Sequence, residues 1–179
     1  MSRILFILLF FCLFSTSLTV HAAEETDVYQ IKAAYLYNFA KFITWPESSA
    51  SDTNEPFVIG VLGPNKFNDS LNPLTAKTVS NRPIVIRQFG SSAEIESCQI
   101  LYIEPTVKST LIKDLRILSN KAIITVSDQE DFALQGGTIQ FIEVRDRLRF
   151  IINKTTADKQ NIKIGSQLLS LAIDVLEDK

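Results

Sequence analysis

Once a short leader is set aside this sequence has no histidine, and that absence excludes more chemistry than any residue present suggests. The 179-residue chain holds one histidine and two cysteines. His21 and Cys12 both fall in an N-terminal stretch that reads as a secretory signal peptide, residues 1–22. Arg3 gives it a basic start, Ile4 to Phe14 is an unbroken apolar run, and Val20-His21-Ala22 places small residues where a signal peptidase reads. The run is too short to cross a bilayer, which takes about 20 helical residues. Phe10 and Phe11 ahead of Cys12 argue against lipid attachment. Cleavage is expected between Ala22 and Ala23, leaving residues 23–179 as one exported domain with a sizeable core.

Without histidine, Ser-His and Cys-His nucleophiles, histidine zinc sites and imidazole acid-base catalysis are all excluded. With Cys98 alone, no internal disulfide forms; Cys98 opens an apolar run and reads as a small buried hydrophobe. Removing Arg3 from the 18 basic residues leaves 17 against 20 acidic ones, and no basic stripe stands out, so nucleic acid is not an expected partner. Asp128-Gln129-Glu130-Asp131 lacks the spaced oxygen ligands of a calcium loop and reads as a solvated turn. No cofactor or metal is expected.

What is present is a β-branched and helical alternation. Strands are expected at Phe57 to Gly63, Arg82 to Arg87, Gln99 to Glu104 and Ala122 to Val126. Between them lie a short helix from Phe67 to Asn72, stopped by Pro73, and an amphipathic one from Val107 to Leu118. The alternation implies an α/β domain with a mainly parallel sheet covered by helices, a Rossmann-like sandwich. Thr138 to Glu143 and Leu148 to Ile152 then alternate as a C-terminal antiparallel hairpin, and Gln167 to Leu176 reads as a closing helix capped by Ser166.

An opening helix is expected from Val28 to Trp45, ended by Pro46. Its apolar arc, with Ile31, Phe42, Tyr35, Val28 and Phe39 on one face, covers roughly 200°, about twice the usual stripe. Lys32 falls inside that arc, where its ammonium is expected to snorkel to water. A membrane-surface helix would show a charged face, and this one does not. Two readings stay open: a helix covered by sheet and loop, or one that also meets another chain.

Two candidate surfaces emerge. Open α/β sheets bind ligands at the carboxyl ends of their strands, which here carry Gly63, Arg87, Glu104 and Asp128. Gly60-Val61-Leu62-Gly63 has too few glycines for a dinucleotide loop. The second surface uses aromatic and arginine side chains, which most often carry interface energy: Tyr37, Trp45, Arg147 and Arg149. Edge protection of an exposed strand is an alternative role for the arginines.

Lys32 to Pro46, Ile59 to Gly63, Arg82-Pro83-Ile84, Cys98 to Ile103, Ile124 to Asp128, Phe132 with Gly136-Gly137, Arg149 to Asn153 and Ile164 to Ala172 together resemble the YfiR-like family of small periplasmic proteins. The resemblance implies a regulator rather than an enzyme. It implies a protein that binds the periplasmic sensing domain of an inner-membrane diguanylate cyclase and lowers cyclic-di-GMP and biofilm formation. It also implies sequestration by an outer-membrane OmpA-like lipoprotein, and a homodimer is compatible with it. The alternative function is a periplasmic small-ligand sensor acting on another membrane signalling protein.

Overall fold

The computed structural model describes residues 19–46, 55–95, 97–107 and 111–178. Residues 1–18 of the expected leader lie outside the described residues, as do residues 108–110 of the helix expected from Val107.

Helix α1 (Thr19–Phe42) contains neither glycine nor proline and runs unbroken. It ends three residues before the expected stop. Ile43 and Thr44 form β1 (Ile43–Thr44), paired antiparallel with β9 (Lys163–Ile164), so a strand partner takes over before Pro46 can act. The Gly165 amide donates to the Phe42 carbonyl at 2.8 Å. A Cβ on Gly165 would sit 2.8 Å from that same oxygen, so only glycine permits this approach.

The main sheet has eight strands among the described residues, in the order β10 (Asp174–Leu176), β8 (Leu148–Asn153), β7 (Ile139–Glu143), β6 (Ile124–Ser127), β5 (Ile100–Ile103), β2 (Phe57–Leu62), β4 (Arg82–Phe89) and β3 (Thr78–Val79). β2 (Phe57–Leu62) lies parallel between β4 (Arg82–Phe89) and β5 (Ile100–Ile103). β6 (Ile124–Ser127) and β7 (Ile139–Glu143) extend the parallel series. β3 (Thr78–Val79) closes one side antiparallel to β4. β2 and β5 are buried along their whole length, as strands covered on both faces must be.

Alternation divides the core in two. Ile59, Val61, Ile100, Tyr102, Ile124 and Val126 point towards α1, which buries Leu36 and Phe39 among them. Val58, Leu62, Leu101 and Ile103 point the other way, towards Leu115 and Leu118 of α2 (Leu111–Leu118). Cys98 belongs to this second layer and is buried there.

Two expectations, both of helices, are corrected by the tertiary structure. The helix expected over Phe67 to Asn72 is instead a 3-10 segment, Asn68–Ala76, with Pro73 inside it. Side-chain bonds from Asn72 to Asp69 and from Thr75 to the Asn72 carbonyl brace the turn on either side of Pro73. β7 and β8 (Leu148–Asn153) pair antiparallel over the residues expected to form the hairpin, and a further strand lies beyond β8. After α3 (Lys154–Lys159) and β9, the expected closing helix is only α4 (Ser166–Leu171), capped by Gly165 without a side-chain bond. Ile173 then donates to the Phe150 carbonyl, and β10 (Asp174–Leu176) adds parallel to β8. β-Branched Ile173 and Val175 gain a sheet edge that a short exposed helix does not offer.

Candidate functional site

The wide apolar arc of α1 is divided by its surroundings. Tyr29, Ala33, Leu36, Phe39 and Ala40 are buried, whereas Val28 and Ile31 are exposed. Lys32 lies on the buried side, only 4% exposed, and does not snorkel. Its ammonium reaches the Asp128 carboxylate at 3.0 Å and the Tyr102 hydroxyl at 3.4 Å, and sits 4.3 Å from the centre of the Tyr29 ring. The Tyr102 hydroxyl donates to the other Asp128 oxygen. A buried ammonium is tolerable only when paired and bonded in this way.

Glu104 joins this group from the end of β5. It is fully buried, and neither carboxyl oxygen has a hydrogen-bond partner among the described residues. Burial pushes its carboxyl above the ordinary range, and Asp128 pushes the same way. The Lys66 backbone amide opposes the shift without closing a hydrogen bond, and the Lys66 and Lys32 ammoniums oppose it too. Burial, then Asp128, also raises the Tyr102 phenol. A perturbed carboxyl in a cleft would mark an acid-base catalyst. This one is sealed from solvent, so no substrate atom reaches it.

Of the four residues expected to line a ligand site, the structure unites two. Glu104 and Asp128 stand at adjacent strand ends within the charge group beneath α1. Arg87 is exposed and lies two residues from Phe89, in register with Gly60, on the sheet face turned towards α2. Gly63, at φ +96°, serves the turn after β2: its amide donates to the Phe89 carbonyl and its own carbonyl accepts from Gln88. Lys32 and Tyr102 are the members that sequence reasoning missed. The signal available was a lysine inside an apolar arc, four residues before Leu36.

The residues expected at a partner surface are scattered. Tyr37 borders an open groove of about 730 Å³ between α1 and the 3-10 segment, with Ala33, Ala34, Pro73, Leu74 and Lys77. The Lys77 and Lys41 ammoniums lie 5.0 and 5.6 Å from its ring centre. Trp45 sets its ring edge-on to Phe57 at 5.2 Å, and its buried Nε1 has no partner among the described residues. Arg147 and Arg149 are exposed at the β7–β8 turn, where with Val144 and Arg145 they enclose a pocket of about 430 Å³. None of these arginines has an ion-pair partner within 4.0 Å among the described residues. The sheet order puts them on the flank opposite the Tyr37 groove, which neighbours β4.

Among the described residues no group of His, Cys, Asp and Glu side chains is placed to hold a metal ion, and no helix is long and apolar enough to cross a membrane. A family profile described as YfiR/HmsC-like matches residues 29–173. Among solved structures, a conserved domain protein from Vibrio cholerae O1 biovar El Tor is similar, with 16% sequence identity and a TM-score of 0.48 over 66% of this chain and 54% of that one. The chain therefore spans about half the length of that protein.

Proposed function

The chain belongs to the YfiR/HmsC-like family, and from that membership we propose that it is a periplasmic regulator of a membrane diguanylate cyclase rather than an enzyme. The observation that carries the reading is the family match across residues 29–173, nearly all of the expected mature chain. In this reading the protein binds the periplasmic sensing domain of the cyclase and holds it inactive, lowering cyclic-di-GMP and with it biofilm formation. An OmpA-like lipoprotein would sequester it and release the brake.

Repression of this kind works through differential affinity. A protein that binds the inactive receptor more tightly than the active one shifts the equilibrium by that difference. Turning a receptor from almost wholly active to almost wholly inactive takes about 5.5 kcal/mol. Exposed Arg147 and Arg149, without an ion pair among the described residues, are the contact residues we favour, with Tyr37 as an aromatic anchor on a separate face; Trp45 is committed to Phe57 and contributes less. The test is cellular cyclic-di-GMP in a strain lacking the protein, then re-expressing it. A rise on deletion, reversed by the wild type and not by the Arg147→Glu/Arg149→Glu double variant, is expected. No rise on deletion would overturn the reading; full repression by the double variant would remove the turn from the interface.

A second reading, a small-ligand sensor, is favoured by the groove beside Tyr37, which Asn38, Asp69 and Lys77 line with polar groups. Thermal shift against small periplasmic metabolites tests it, and no stabilisation by any of them would end it.

A further inference from the structure

Glu104 is the one fully buried carboxyl in the described core with neither oxygen bonded, and its neighbours are already engaged. Tyr102, two residues earlier on β5, spends its hydroxyl on Asp128. Lys32, from α1, places its ammonium on Asp128 and against the Tyr29 and Tyr102 rings. Lys66, after β2, is exposed and contributes charge from the rim. Two carboxyls thus face one buried ammonium, and that ammonium sits on Asp128. A bare carboxylate in such a place has no hydrogen bond to replace its lost water, so the neutral form is the one the fold accommodates.

We propose that Glu104 is a proton-binding site: it is carried neutral in the folded protein, and its ionisation sets two carboxylates in competition for Lys32 and thereby disturbs the seating of α1. The coupling runs through Lys32 because its ammonium reaches from the buried side of α1 to the ends of β5 and β6. One residue further, Ala33 borders the groove beside Tyr37, so a shift of α1 at Lys32 changes that groove as well. The device converts external pH into the position of one helix, and it stands whether or not the protein acts on a cyclase.

The direction of the linkage follows from the raised carboxyl. A group whose folded pKa lies above its unfolded value binds more protons when folded. Stability is therefore greatest below the unfolded value, near the ordinary 4.5, and declines as pH rises through the folded value.

The experiment is a pH titration of the full mature chain carrying carbon-13 in its glutamate carboxyls, followed by NMR together with the amides of residues 29–36. The Glu104 carboxyl is expected to titrate above the ordinary value, with the α1 amides moving at the same midpoint. In parallel, the Tm of Glu104→Gln should rise relative to wild type as pH increases above the ordinary carboxyl value, because the amide keeps the shape and loses the charge. A Glu104 midpoint at or below the ordinary carboxyl value would overturn the proposal, and needs no variant to fold. So would α1 amides that stay still while Glu104 titrates, or a Tm difference between variant and wild type that is flat with pH.

Discussion

Gly60 stands in the middle of β2, where a Cβ would lie 2.7 Å from the Phe89 ring and 2.9 Å from both the Cys98 sulfur and the Leu101 methyl. The glycine therefore serves packing towards α2 rather than a phosphate. Gly60→Ala should cost about 1–3 kcal/mol in urea unfolding, as overpacking does; an unchanged midpoint would show that the α2 layer yields. The same layer encloses Cys98, whose thiol is pushed up to about 12 by burial. At pH 8 only about one thiol in ten thousand is ionised at such a value, so a thiol reagent should label Cys98 in denaturant and not in the native protein. On the opposite face, Lys32→Met strips Asp128 and Tyr102 of their cation. It should cost about 1.5–3 kcal/mol alone, and markedly less when combined with Asp128→Asn, a coupling that a double-mutant cycle reads directly. A lysine among apolar neighbours is visible in the sequence. Its pairing with an aspartate 96 residues away is not, because nothing local encodes which strand end lies beneath the helix.

At the scale of elements, the outcome turned on who supplied the backbone partners. β2 and β5 were legible because both their faces are apolar, and with β4 and β6 they fall within one or two residues of expectation. The chain ends of α1 and α4 were not legible, since β1 and β10 exist only through pairing with β9 and β8. α3 shows the opposite case, a local device in plain view. Asn153 accepts from the Thr156 amide at 2.9 Å and donates to the Ala133 carbonyl at 2.8 Å, capping the helix while tying it to the loop before β7. Asn153→Ala should lower stability by about 1–2 kcal/mol, and Asn153→Asp, which keeps the cap acceptor, should lose less.

For the whole molecule, a sheet covered on both faces in its centre and short at its margins should open from the outside. Native-state hydrogen exchange is expected to be slowest at Ile59, Val61 and Leu101 and fastest at Val175 and Val79, the two sheet edges. Uniform protection across all eight strands would contradict that order. The two candidate faces, the groove beside Tyr37 and the arginine turn, lie on opposite flanks, so a single small partner does not cover both without wrapping the α1 layer.

By itself the sequence determined the α/β class, the parallel core strands and the family, because hydrophobic period and β-branched runs act over a few residues and repeat along the chain. Beyond the expected leader it also leaves no histidine and a single cysteine, Cys98, which argues against histidine chemistry and an internal disulfide there. Only the tertiary structure decided that Arg87 and Glu104 look to different sides of the sheet, that the last helix yields to an edge strand, and that Lys32 is buried against Asp128. Those outcomes depend on strand register and on which distant groups meet in a desolvated space, where Coulomb and desolvation energies far exceed local propensities.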